Sequence, residues 1–259
     1  MKVIDQIGRA IELNQAPKRI VSLVPSITEL LYDLGLESEI VGITRYCILP
    51  KEKVKSAHKI GGTKDFDVDL ILNLKPDIVF ANKEENPKEK VEAIQAHGPV
   101  YVSDVQNLEQ AIMMIEDIGQ LIGRSEQAVM LSKQIQADFA VTPEKIYSAI
   151  YLIWNNPVMT VGGDTYISDM MRHAGFENLY ADSTRYPIIN ENDLVEKSPQ
   201  FLLLSSEPFR FTNSHCAYFR QLLPNTTILL VDGKIFSWYG SHLRRCRSYF
   251  DGLIAKNLD

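Results

Sequence analysis

Five aromatic residues stand where a strand-like run gives way to a loop: Tyr46, Trp154, Tyr186, Trp238 and Tyr239. Aromatic rings give large contact area at little entropic cost, and Tyr and Trp keep a polar end. Open α/β sheets place their ligands at such post-strand loops. Two lobes facing each other with these loops would form a cleft for a bulky, partly planar ligand; any one of the five, taken alone, reads as core or surface. Reactive groups are sparse. Cys47 and His242 could serve as nucleophile and base if close in space, although a lone Cys after a strand is as a rule a small buried hydrophobe. His58, His97, His173 and His215 are scattered and read as surface or supporting residues. Arg244-Arg245-Cys246-Arg247 could meet an anion, but such a run is more often the solvated face of a terminal helix. There is no Gly-x-Ser-x-Gly elbow, His-Glu-x-x-His or Cys-x-x-Cys motif, so enzyme signals are poor.

The bulk composition narrows the classes further. The chain has 259 residues, 45% of them apolar, enough for one large domain or two of ordinary size. A net charge of −6 and the lack of a basic run argue against nucleic acid. No apolar run approaches the ~20 residues of a membrane span. The start, Met1-Lys2-Val3-Ile4-Asp5, has no apolar signal-peptide core. The chain as written is therefore expected in the cytoplasm, and in the periplasm or on a lipid anchor if a leader has been removed. Cys47, Cys216 and Cys246 are too few and too scattered for a disulfide framework or a zinc pattern.

Strand-like and helix-like runs alternate, the pattern of a parallel α/β sheet. Asp5 to Leu13 reads as a hairpin turning at Gly8-Arg9. Ile20–Val24 is a buried strand, followed by a helix that Ser26 could cap, with Glu29 at the capping-box position and Gly35 at its end. Ile40–Ile43, Ile78–Ala81 and Val100–Val102 are further strands, separated by helices over 67–74 and 87–97; 108–122 is another helix. Gly61-Gly62-Thr63 is a turn without the spacing of a phosphate loop. Later, Ala149–Ile153, Val158–Val161, Phe201–Leu204 and Ile228–Val231 are strands. Helices are expected from Gly162-Gly163-Asp164-Thr165 through His173, from Asn192 to Lys197, and from Ser241 to Leu258.

These two sets of elements flank one long helical segment. Ser125 is a good N-cap and Glu126 suits the helix dipole. Ala128, Leu131, Ile135 and Phe139 form one apolar stripe, and Pro143 pushes Thr142 out of the α region. Periodicity alone favours one more helix of a single α/β domain; two flanking segments of similar length fit a strut. On the strut reading, the chain comprises an N-terminal α/β lobe over 1–124, a backbone helix over 125–142 and a C-terminal α/β lobe over 143–259.

Arg19-Ile20-Val21-Ser22-Leu23-Val24-Pro25-Ser26-Ile27-Thr28-Glu29-Leu30-Leu31 and Val41-Gly42-Ile43-Thr44-Arg45-Tyr46-Cys47 resemble the class III substrate-binding proteins of ABC importers, the helical-backbone metal receptors that bind cobalamin, siderophores and haem. Ile60-Gly61-Gly62-Thr63, Leu74-Lys75-Pro76-Asp77-Ile78-Val79-Phe80-Ala81, Gly162-Gly163-Asp164-Thr165-Tyr166-Ile167 and Tyr186-Pro187 continue the match over nearly the whole chain. The resemblance implies two Rossmann-like α/β lobes joined by one long backbone helix, with a ligand in the cleft between them, and is nearest to the cobalamin-binding members. It implies no enzyme and no required cofactor. It also locates two departures. Docking carboxylates of cobalamin binders align with Lys88 and Asn192, so that Glu89 and Glu191, one step away, are the candidate permease contacts, with Glu84 and Glu85 as further substitutes. A cleft-filling aromatic aligns with Asn82.

The expected function is that of a substrate-binding protein holding a metal chelate, cobalamin or a related corrinoid first and an iron siderophore or haem second, for ABC-type uptake. The alternatives are a leaderless cytoplasmic carrier or sensor with the same pocket, and last an enzyme using Cys47. Tyr46, Trp154, Tyr186, Trp238 and Tyr239 are the expected ligand walls, and Cys47 and His242 the candidate axial or direct metal contacts. The expected partner is the chelate, with an ABC permease implied by the resemblance; the displaced carboxylates predict that the chain does not dock on a cobalamin-type permease, and the protein itself is expected to be a monomer.

Overall fold

Ile20, Val21 and Ser22 are wholly buried, as the central strand of a parallel sheet covered on both faces must be. In the computed structural model, which describes residues 1–255, this strand (β3, Ile20–Ser22) follows a hairpin of β1 (Lys2–Ile4) and β2 (Ala10–Glu12). Asp5 shapes the hairpin turn by accepting from Arg9 N at 2.8 Å, and Gly8 takes φ +86° there. Helix α1 (Pro25–Asp33), β4 (Ile40–Ile43), β5 (His58–Lys59), α2 (Val68–Asn73), β6 (Ile78–Asn82), α3 (Lys88–Gln95) and β7 (Val100–Ser103) follow. The five strands form one parallel sheet in the order β5-β4-β3-β6-β7. The order reverses direction between β3 and β6, which makes that gap the topological switch point.

Helix α4 (Leu108–Leu121) and helix α5 (Ser125–Phe139) come next. They approach closely: a Cβ on Gly119 would lie 2.2 Å from that of Ala128. Helix α5 is continuous, but it ends at Phe139 rather than Thr142. Ala140 N bonds back to Ala137 O at 3.3 Å, a tightened last turn, because the residues leading to Pro143 are pushed towards extended backbone.

The rest is β8 (Tyr147–Leu152), β9 (Trp154–Asn155), β10 (Val158–Met159), α6 (Tyr166–His173), β11 (Phe176–Asn178), α7 (Glu191–Lys197), β12 (Phe201–Ser205), α8 (Asn213–Leu222), β13 (Thr227–Val231), α9 (Gly233–Ser237) and α10 (Cys246–Ala255). Strands β11-β8-β12-β13 form a second parallel sheet, with its switch point between β8 and β12. Ile150, Leu152, Leu202, Leu204 and Phe219 are buried in one cluster under it. The expected cap of the last helix by Ser241 is not formed: residues 240–245 make 3-10 turns before α10. The expected extension to Leu258 runs outside the described residues.

By contacts the chain divides into two units. One comprises Met1–Val105, Glu109–Gln136 and Tyr239–His242; the other comprises Gln106–Leu108, Ala137–Trp238 and the chain from Leu243. The division thus falls inside α5, and four residues near the C-terminus return to the first unit.

Candidate functional site

At the carboxyl edge of the first sheet, polar side chains satisfy one another. Pro25 takes the first position of α1, where its missing N–H costs nothing, so the cap residue is Val24 and no side chain caps the helix. The expected Ser26–Glu29 capping box is therefore absent. Glu29 turns inward instead, 1% exposed on its side chain, with Oε2 2.8 Å from Nδ1 of His242. Thr28, one residue earlier, reaches the Cys47 thiol at 3.1 Å, and Thr44 reaches it at 3.2 Å. Cys47 is buried, and that burial pushes its pKa up against the pull of the two threonine bonds. As drawn from sequence, Cys47 and His242 were a nucleophile–base pair or metal contacts. The structure gives them separate buried partners instead, Cys47 with two threonines and His242 with Glu29.

Tyr239 and Asn82 close this edge. The Tyr239 hydroxyl lies 3.5 Å from Ser103 Oγ, and the side chains of Ser26 and Asn82 also bond to it. Burial raises its pKa far beyond neutral pH, so the phenol keeps its proton. Asn82 donates to Ser103 Oγ at 3.1 Å and accepts from the backbone N–H groups of Glu84 and Glu85 at 2.8 and 3.0 Å. It therefore shapes the loop after β6. Tyr46 differs from its neighbours in being 53% exposed. It lies over the Gly61-Gly62 turn, where a Cβ on Gly62 would come 3.0 Å from its ring. The Gly62 N–H is taken by Asp65 Oδ1 at 3.0 Å.

The carboxyl edge of the second sheet is aromatic and open. Trp154 starts the β9–β10 ribbon directly after β8, paired with Met159, and is 39% exposed. Its indole N–H donates to Asn156 O at 3.1 Å. Phe209 follows β12 and meets Trp154 edge-on, with centroids 5.7 Å apart. Phe211 and His215 pack on Phe209 at 4.9 and 5.4 Å. His215 Nδ1 accepts from Thr212 N at 3.0 Å and completes the capping box of α8. Tyr186 joins the ribbon through the next segment: Met159 bridges Ile188, and Thr160 N donates to Pro187 O at 3.1 Å. Glycines are required opposite this segment, since a Cβ on Gly162 would come 2.4 Å from Ser183 O. Trp238, after α9, is buried, and its indole N–H donates to Glu207 Oε1 at 3.0 Å.

The structure thus leaves Trp154 exposed, sets the segment after Tyr186 beside the ribbon that Trp154 starts, and leaves Trp238, Tyr239, Cys47 and His242 largely covered. Sequence reading missed Phe209, Phe211, His215 and Glu207. The signal available was a pair of spaced phenylalanines directly after a buried strand. The candidate docking carboxylates both occupy first turns of exposed helices: Glu89 on α3 and Glu191 on α7, the latter accepting from the Tyr218 hydroxyl.

The sequence pattern of the periplasmic binding proteins matches residues 20–215. This chain belongs to that family. Its members are substrate-binding proteins and not enzymes. The chain is 26% identical to a vitamin B12-binding protein of Yersinia pestis over 216 residues, 81% of this chain and 77% of that protein. The periplasmic haem-binding protein RhuT of Roseiflexus sp. RS-1 superposes with a TM-score of 0.78 at 22% identity, covering 92% of this chain and 97% of that one. The periplasmic vitamin B12-binding protein BtuF of Vibrio cholerae superposes with a TM-score of 0.72 at 20% identity, covering 93% and 98%. The two-lobe α/β fold implied by the class III resemblance is the fold of these structures. Among the described residues no helix is long and apolar enough to cross a membrane.

Proposed function

We propose that this member of the family binds a metal chelate, a corrinoid such as cobalamin before an iron chelate or haem, and delivers it to an ABC permease. The observation that carries this reading is the open aromatic edge at the switch point of the second sheet, Trp154 with Phe209, in a chain related to vitamin B12-binding proteins; Tyr186 is proposed as a further wall from the segment beside it. Flat rings presented at such an edge suit a broad, partly planar ligand. The metal would arrive within the chelate as cargo; among the described residues no group of three or more His, Cys, Asp or Glu side chains is placed to hold an ion.

Glu89 and Glu191 are the proposed permease contacts. A docking carboxylate pairs with arginines through charge-assisted bonds that are geometrically demanding. Moving a carboxylate one residue along a helix turns it by ~100°, so a matching permease carries displaced arginines. Native mass spectrometry with visible absorption, on protein purified from its own organism, tests the ligand: a bound corrinoid is expected, and an apoprotein that fails to take up any chelate would overturn the reading. A pull-down tests the partner. Capture of a permease by the wild type, lost on Glu89→Lys with Glu191→Lys, supports uptake; no capture favours a carrier or sensor that works without an importer.

A further inference from the structure

One ionisable side chain at the open edge has no task in the aromatic reading. Glu207 lies two residues beyond β12, beside Phe209. Its backbone is clipped in place: Ser205 Oγ donates to Glu207 O at 2.5 Å and accepts from Glu207 N at 3.2 Å, while the Tyr151 hydroxyl donates to the same Ser205 Oγ at 2.9 Å. Space for its side chain exists only because residue 233 is glycine; a Cβ there would lie 2.5 Å from Glu207 Cγ and 2.6 Å from Ser205 Oγ. Two donors then fix one carboxylate oxygen. Ser237 Oγ and Trp238 Nε1 both reach Oε1 at 3.0 Å. The other oxygen, Oε2, accepts no hydrogen bond from a described residue and is not sealed from solvent. Lys234, whose charge acts on Glu207, is itself paired with Asp232 at 3.0 Å. A partly desolvated carboxylate held this firmly, with one oxygen left over, is built to receive a donor from outside the protein.

Resting on the ligand class proposed above, we infer that Glu207 is a specificity-determining residue whose Oε2 accepts a hydrogen bond from the rim of the chelate. Its charge selects a tetrapyrrole-type ligand rimmed with carboxamides over one rimmed with carboxylates. A carboxamide N–H donates to Oε2, whereas a propionate brings a second negative charge against it in a poorly solvated place. Aromatic walls alone would not distinguish the two, because both ligands present broad faces.

Calorimetric titration of cyanocobalamin and haemin into the wild type, Glu207→Gln and Glu207→Asp tests this. Glutamine keeps an acceptor for Trp238 and Ser237 but removes the charge. The wild type is expected to prefer cyanocobalamin. Glu207→Gln should weaken that ligand roughly tenfold and tighten haemin, narrowing the ratio from both sides. Glu207→Asp, which keeps the charge but withdraws it, should weaken cyanocobalamin without any gain for haemin. Wild-type binding of cyanocobalamin with unchanged affinities in both variants overturns the role of Glu207 and leaves the ligand class standing. A wild-type preference for haemin also overturns it. If the wild type binds neither ligand, the proposed ligand class falls and this inference with it.

Discussion

The two sheets present their switch points in opposite ways. At the first, between β3 and β6, the chain uses its own residues: Tyr239 against Ser103 and Asn82, His242 on Glu29, Cys47 on Thr28 and Thr44. Each of these bonds joins residues of the same unit. At the second, between β8 and β12, rings pack edge-on and remain partly exposed, and Glu207 keeps an oxygen in reserve. The same topology therefore carries one edge whose polar side chains, Tyr46 apart, are buried and bonded to one another, and one whose rings stay partly exposed. Residue type alone does not tell them apart, because both edges carry tyrosine, histidine and a glutamate.

The largest expected effect falls on the cohesive edge. His242→Ala removes a hydrogen-bond partner of Glu29, whose side chain is almost fully buried. Leaving a buried polar group unsatisfied costs about 1–3 kcal/mol, more for a charged one. Thermal melting should show a large loss of stability, with Glu29→Gln/His242→Gln milder than the single truncation. An unchanged Tm would place that histidine outside the structural network.

Trp154→Ala should do the reverse. Covering an aromatic face with ligand is worth about 1–3 kcal/mol, so chelate affinity should fall about tenfold or more by calorimetry. Tm should barely move, because the indole is already 39% exposed. Unchanged affinity would remove Trp154 from the site and erase the contrast between the edges.

Asn82→Ala sharpens the comparison on a smaller scale. It frees the backbone N–H groups of Glu84 and Glu85, at a cost of about 1 kcal/mol since both are near solvent. Denaturant unfolding should register this loss while chelate affinity stays constant; an affinity loss without a stability loss would mean that Asn82 faces the ligand.

The smallest signal is an absence of reaction. Cys47, Cys216 and Cys246 are all buried, and burial pushes the thiols of Cys47 and Cys216 up. A thiol reagent at neutral pH should label none of them in the native protein and all three after unfolding. Rapid native labelling of Cys47 would reopen its role as a reactive residue.

Much of the fold was legible because burial and periodicity coincide. Ile20–Val24, Ile78–Ala81 and Phe201–Leu204 are apolar runs bounded by turn residues, and α5 carries its stripe from Ala128 to Phe139. Elements lacking that coincidence were missed. Strand β5 is His58-Lys59, exposed on both residues, and β11 is three residues long with a central Glu177. Helix α8 opens on Asn213-Ser214-His215 and is capped with the aid of a histidine rather than a glutamate, outside the usual capping signature. The site was half legible for a related reason. Post-strand position identifies residues that reach a carboxyl edge: Tyr46 follows β4 and Trp154 follows β8, both with exposed rings. It does not say which side chains are consumed by partners there. Glu29 reads as a capping-box residue from Ser26, but Pro25 opens the helix and its cap residue is Val24, two positions earlier. Nothing in its local sequence singles out Glu207, because what distinguishes it is a glycine 26 positions later, which leaves room for its side chain.

Hydrogen exchange with and without cyanocobalamin tests the central claim most directly, since it reports where the chelate sits without altering a residue. Slowed exchange is predicted over the ribbon at 153–160 and the loop at 206–212, with no loss of the slow exchange already expected around Asn82 and Ser103. Binding that leaves both second-sheet segments unprotected would contradict the assignment of the open edge to the ligand.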